Sequence, residues 1–228
     1  MRLKSIISAA ACALVAMSAS AQQGPKAPEY EFTVVKENPV TSIKNQYRSG
    51  TCWCYSALSF VESEILREKG QEVDLSEMFV VGKSYRDRAV KYVRLDGHLN
   101  FAAGSSFGDV LHVIEDYGII PQDVYSGFNY GTEMPEQNEL DAALAGYVRA
   151  IAQNPNRKLT TAWLNGFDGI LDAYLGEVPA TFTVNGVEYT PESYRDALGF
   201  NSDDYVNLTS FTHHPFYESF IIEVPDNW

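Results

Sequence analysis

The chain has 228 residues, a formal net charge of −13, and 45% apolar and 13% aromatic residues. That composition suffices for a packed core, and the negative field argues against nucleic acid and anionic lipid as partners.

Arg2 and Lys4 precede an apolar run from Ile6 to Met17, and Ala19-Ser20-Ala21 then supplies a small-x-small pattern. The run is too short to span a bilayer, so residues 1–21 are expected to be a cleaved export signal. Cleavage places the mature protein in the periplasm or outside the cell, with no membrane contact. Cys12 lies mid-run without an aliphatic residue three places upstream, which speaks against a lipid anchor. Loss of Arg2 and Lys4 takes the charge from −13 to −15.

Residues 22–39 read as a leader, loose over Gly24–Pro28 and alternating enough over 30–36 for an edge strand. Residues 38–50 have no helical period and end in a turn at Arg48-Ser49-Gly50. A helix follows from Trp53, with Ala57, Leu58, Val61 and Ile65 at threes and fours and Gly70 as its stop. Asp74 and Glu77 suggest a capping box for a second helix through Met78, Val81 and Tyr85 toward Val93. Residues 97–104 are irregular. Ser106 and Asp109 cap a short helix that Gly118 ends. Leu140–Ala152 and Trp163–Leu175 read as helices. Asn185-Gly186 between FTV and VEY predicts a hairpin with a type I′ turn. Thr190-Pro191 starts a short helix to Leu198. Strands are expected at 205–208 and 220–224. Helices in front and short strands behind make the class α+β. Asp226-Asn227-Trp228 carries no polar tail after the last strand, so the chain is expected to be part of a longer polypeptide.

The chemistry gathers in Ile43-Lys44-Asn45-Gln46-Tyr47-Arg48-Ser49-Gly50-Thr51-Cys52-Trp53-Cys54. Cys52 stands at the amino end of a helix, where free N–H groups and the helix dipole favour a thiolate. Gly50 leaves room for a substrate backbone near the sulfur. Gln46, six residues upstream on a loop, can donate its amide to the oxyanion that the Cys52 N–H also faces. Trp53 starts the buried face, anchors the nucleophile and is counted with Gly50 among the substrate-side residues. Cys52 and Cys54, separated by one helical residue, point some 200° apart and cannot bridge, so at least one thiol needs a role other than crosslinking.

The run VTSIKNQ…GTCW…SA resembles the papain-like cysteine peptidases. LSEMF, AAGSSFGDVLHVIEDYGIIPQDVY and YTPESYRDALGFNSDDYVNLTSFTHHPFY resemble one branch, the bleomycin hydrolase and aminopeptidase C group. The resemblance implies a papain-like fold: a helical region over 40–131 with the nucleophile helix, a helical insertion over 132–175, and the start of a β-rich region over 176–228. It places Gly104 and Ser105 in the cleft wall opposite Cys52, with Ala103 where the family commonly has glycine. It also implies a peptide substrate, aminopeptidase action, and either a homo-oligomer or the remainder of the same polypeptide as partner.

A thiolate needs an imidazole to take and return the proton. His112 falls among apolar helix positions, and His98 is too near Cys52 in sequence for the family order. His213-His214-Pro215 offers His214 as a base. This stretch resembles a segment of the bleomycin hydrolase branch that precedes the part bearing the base, so the catalytic His and Asn are expected beyond residue 228. No cofactor is expected, and adjacent His213 and His214 cannot both aim at one metal ion. The alternative function is a non-catalytic papain-like module that binds a peptide or a partner chain.

Overall fold

The computed structural model describes residues 30–155, 158–209 and 213–220. The predicted export signal, leader residues 22–29, and 221–224 of the last predicted strand lie outside the described residues. Residues 30–37 belong to a separate unit; the body begins at Asn38.

Six α-helices and one hairpin make up the regular structure of the described residues. Helix α1 spans Cys52–Lys69, α2 Glu77–Arg94, α3 Phe107–Tyr117, α4 Asn138–Ala152 and α5 Ala162–Leu175. Strands β1 (Phe182–Val184) and β2 (Val187–Tyr189) precede α6 (Pro191–Leu198) and a 3-10 turn at Ser202–Asp204. Helix α2 is the hub, packing against α1, α3, α4 and α5. Its buried face explains this: Met78, Phe79, Val81, Tyr85, Ala89 and Val93 cover more than one stripe of the cylinder. Residues from the predicted segments 40–131, 132–175 and 176–228 all enter one core, from Leu58 through Leu144 and Phe167 to Leu198.

The helix boundaries follow local chemistry. Gly70 takes the left-handed conformation (φ 66°) and closes α1 through an N–H bond to the Leu66 carbonyl. The cap of α2 is Ser76 rather than Asp74: the Ser76 hydroxyl accepts from the Phe79 N–H at 3.1 Å. The helix starts at Glu77, so Asp74 lies two residues before the cap position, and its carboxylate meets Lys44 at 2.7 Å. At α3 the Ser106 N–H donates to Asp109 at 3.2 Å, as the capping signature predicts. In the hairpin, Asn185 (φ 51°) and Gly186 (φ 80°) both have the positive φ that a type I′ turn requires. Thr190 accepts from the Ser193 N–H at 3.2 Å with Pro191 at the first helical position.

Two predicted strands do not form. Residues 30–36 are exposed and carry no ladder; their alternation reflects apolar residues without a partner strand, Phe32 being 88% exposed. Residues 205–208 also lack a ladder. Tyr205 has extended dihedrals, but its ring packs on Phe60, Phe107 and Phe200 instead of entering a sheet. Among the described residues no helix is long and apolar enough to cross a membrane.

Candidate active site

Cys52 is the first residue of α1, and its side chain is exposed. The residue before it, Thr51, is fully buried but does not cap the helix. Its hydroxyl lies 2.6 Å from the Ser49 hydroxyl, pulled into the turn. The Thr51 carbonyl takes the N–H groups of Cys54 (2.9 Å) and Tyr55 (3.3 Å). The N–H groups of Cys52 and Trp53 are therefore left open beside the thiol, and no acidic residue sits in the first turn. Such a helix start offers donors and partial positive charge to an anion forming next to the sulfur.

Cys54 lies on the opposite face. It is fully buried, its thiol donates to the Glu77 carbonyl at 3.5 Å, and burial pushes its pKa far up. Both thiols are free, as their angular separation on the helix requires.

Trp53 anchors the helix start as expected. It is 7% exposed, and its Nε1 donates to the Ala103 carbonyl at 2.9 Å. The turn before the helix meets the same wall: at Gly50, with φ +67°, an added Cβ would lie 3.2 Å from the Ala103 Cβ. Gly50, Trp53 and the 102–104 loop are thus brought together. Gly104 is exposed, with open space where a Cβ would stand. The Ser105 hydroxyl is turned to Asp109. Burial works to raise the Asp109 carboxyl, but the hydroxyls of Ser105 and Ser106, the Ser106 N–H and the Arg88 charge hold it below its ordinary value.

Arg88 is a residue that sequence reasoning missed. From α2 its Nη1 donates to the carbonyls of Ala102 and Gly104, both at 2.5 Å, and its Nη2 to Ser84 at 3.2 Å. The guanidinium lies 5.2 Å from the Tyr85 ring centre and 5.8 Å from that of Trp53. Together with Trp53 it engages three consecutive wall carbonyls, whose backbone would otherwise be a free loop. An arginine three residues past a buried tyrosine on a hub helix is the only trace of this in the sequence.

Gln46 is half-buried on a loop held at several points. Its carbonyl accepts from the Ser49 N–H at 3.2 Å, and the Asn45 side chain accepts from the N–H of Tyr47, which has φ 45°. Arg48 forms a parallel bridge with Glu136: the Arg48 N–H donates to the Pro135 carbonyl at 3.0 Å. Two residues before Gln46, Lys44 pairs with Glu62, with Asp74 at 2.7 Å and with Glu77 at 3.7 Å. Glu62 was also missed, although an acid four residues after Leu58 on the buried stripe of α1 signals a paired interior charge. For Lys44, burial is outweighed by Asp74 and Glu62, and its pKa rises. Glu77 goes the other way. Burial pushes its carboxyl up to about 7, because Lys44 is already committed to two closer carboxylates and Glu77 Oε1 has no hydrogen bond.

His98 is exposed in a turn after α2, and His112 is exposed on α3, 3.3 Å from Asp116. The His214 ring stacks on Phe220 at 3.8 Å and lies 4.3 Å from His213. A groove between α2 and α5, lined by Phe79, Lys83, Arg86 and Asp168, includes none of the predicted site residues. Among the described residues no group of three or more His, Cys, Asp or Glu side chains is placed to hold a metal ion.

Comparison with known proteins bears on this geometry. The model of the papain family cysteine proteases matches residues 28–89, the stretch holding Gln46, Cys52 and Trp53. Human cathepsin L2 is 34% identical over 76 residues, 28% of this chain and 23% of its own. Aminopeptidase G of Lactobacillus delbrueckii subsp. lactis is 24% identical over 84% of this chain and 52% of its own. The crystal structure of PepW from Lactobacillus rhamnosis superposes with a TM-score of 0.54 at 19% identity, covering 75% of this chain and 47% of that one. The chain thus spans about half the length of the relatives that match most of it, and at most a quarter of the cathepsin. The superposition shows the fold, an α+β papain-like one in which this chain supplies mostly helices.

Proposed function

We propose that the chain is a papain-like cysteine peptidase that hydrolyses peptide bonds through Cys52, acting as an aminopeptidase; the match of residues 28–89 to the papain family cysteine proteases and the likeness to Aminopeptidase G support this reading. The observation that carries this reading is the uncapped start of α1, where an exposed thiol stands beside the open Cys52 and Trp53 amides.

The steps follow from that arrangement. The Cys52 sulfur, its proton passed to an imidazole, attacks the scissile carbonyl carbon. A C–S bond forms and the carbonyl π pair moves onto oxygen. The Cys52 N–H and the Gln46 amide stabilise that oxyanion, each donor contributing roughly 3 kcal/mol in the transition state. The C–N bond then breaks, the leaving amine takes the proton back from the imidazolium, and water hydrolyses the thioester to free acid and thiol. Gly50, Trp53, Gly104 and Ser105 border the substrate, with Gly50 and Gly104 leaving space for its backbone. The imidazole and its orienting asparagine are assigned outside these 228 residues. In support, His98 is exposed in the turn after α2, His112 on α3 is 3.3 Å from Asp116, and the His214 ring is stacked on Phe220. The aminopeptidase assignment draws on Aminopeptidase G. Export is proposed from the N-terminal charge and apolar pattern, and assembly with the rest of a longer polypeptide or with further copies from the family resemblance.

The test exposes the native full chain to iodoacetamide and to a peptidyl acyloxymethyl ketone with a free amino terminus. Expected is modification of Cys52 while Cys54 is spared, with the free-amine probe outpacing its N-acetylated form. Labelling of Cys52 no faster than in the unfolded chain leaves the non-catalytic, peptide-binding module as the reading. Peptide turnover by this chain, abolished in C52S, overturns the assignment of the base outside it.

A further inference from the structure

We propose that the buried Lys44–Glu62 pair is a positioning device that fixes Gln46 relative to Cys52. The inference rests on the reading of Gln46 as an oxyanion donor. Glu62 is fully buried on α1, the helix that begins with Cys52, so its place relative to the sulfur is set by ten residues of rigid helix. Its carboxylate accepts from the Thr41 hydroxyl at 3.0 Å, from the Leu75 N–H at 2.8 Å, and from Lys44. Two of these donors, Thr41 and Lys44, lie on the strip of chain that leads into Gln46. One interior charge therefore ties that strip to the nucleophile's own helix.

The other side of Gln46 is held as well. Arg48 is bonded to the 135–137 segment, the Arg48 carbonyl accepting from the Gln137 N–H at 3.4 Å, and Gln137 is itself fully buried. Gln46 thus sits between an electrostatic anchor two residues before it and a backbone anchor two residues after it. The left-handed Tyr47 between them is a conformation that persists only where its surroundings impose it.

A buried ion pair is a poor way to gain stability, because desolvation cancels most of its attraction and apolar replacements often do as well. What a directional pair does supply is register. An apolar replacement packs in several ways, whereas an ammonium held by a fixed carboxylate defines one place for the chain two residues on.

Peptidyl aldehydes provide the test. The Cys52 sulfur adds to the aldehyde carbon, the π pair goes to oxygen together with the thiol proton, and the hemithioacetal oxygen occupies the oxyanion position. Alkylation by iodoacetamide displaces iodide and creates no such oxygen. In the full chain, Gln46→Ala should weaken aldehyde binding by about 100-fold. The double variant Lys44→Met/Glu62→Leu should weaken it by about 10-fold, while its urea midpoint stays near that of the natural chain and iodoacetamide alkylation of Cys52 changes less than about 2-fold. Glu62→Gln, which keeps the shape and removes the charge, serves if the double variant does not fold. Unchanged aldehyde affinity in the folded pair variant, with a loss in Gln46→Ala, overturns the positioning role and leaves the function standing. No loss in Gln46→Ala, or no adduct with the natural chain, overturns the oxyanion reading itself. If neither variant folds, the pair is a stability element and the inference falls.

Discussion

Replacing Glu77 by glutamine removes a buried carboxyl whose ionisation opposes folding. The side chain is 3% exposed, Oε1 lacks a hydrogen bond, and its nearest cation, Lys44 at 3.7 Å, is shared with Glu62 and Asp74. Burial accordingly moves the carboxyl from its ordinary 4.5 to about 7. The folded chain therefore holds this proton more tightly than the unfolded one. Stability linked to Glu77 is fully present below pH 4.5 and is lost as pH rises through about 7. At about 1.4 kcal/mol per pH unit the loss is about 3 kcal/mol, a large share of a domain's stability. Urea unfolding followed by circular dichroism at about pH 5 and pH 8 measures it. The stability of Glu77→Gln relative to the natural chain should rise by about 2–3 kcal/mol between the two, since part of the loss already lies below about pH 5. Titrating groups that do not interact with Glu77 cancel in that difference. Parallel stability curves for the two chains would refute the argument, showing that Lys44 compensates the carboxylate in full.

Three further outcomes follow from the contacts around Cys52 and the core. Arg88→Met should cost about 2–3 kcal/mol in urea unfolding and raise amide exchange in residues 102–106, since two wall carbonyls lose a charged donor; a loss under about 0.5 kcal/mol contradicts it. Gly50→Ala combines a left-handed backbone with a 3.2 Å contact to Ala103, so a loss of about 1–2 kcal/mol is expected. Adding Ala103→Gly should recover the contact share and leave the backbone share, and full recovery would show that the backbone was not strained. Gly118→Ala drives a Cβ into the Pro191 carbonyl group from a backbone at φ +76°, and a loss on the order of 3 kcal/mol or more is expected by thermal unfolding.

The parts of this fold that were legible are those in which local chemistry decides the outcome. Gly70, Ser106 with Asp109, Asn185-Gly186 and Thr190-Pro191 act within a few residues of themselves, and each ends or starts an element where the sequence places it. Cys52 and Cys54 separate onto exposed and buried faces because helical periodicity alone requires it. Long-range pairing was not legible. The alternation at 30–36 looks like a strand but carries no ladder, and Asp74, which looks like a cap, lies two residues before the cap position and meets Lys44, thirty positions earlier. Glu62 and Arg88 were passed over for the same reason. Each acts on chain 13 to 21 positions away or, for Arg88, on a loop across the site, and no periodic pattern encodes such partners.

The Thr51 hydroxyl, bonded to Ser49, carries a consequence for engineering. A residue at this position that turned its oxygen toward the helix would satisfy an open amide and stabilise α1 by about 1 kcal/mol. It would also place a competing acceptor where the substrate oxygen is proposed to arrive. Selection for a hardier variant of this protein should therefore find such caps readily, and those variants should be the ones that bind peptidyl aldehydes worst.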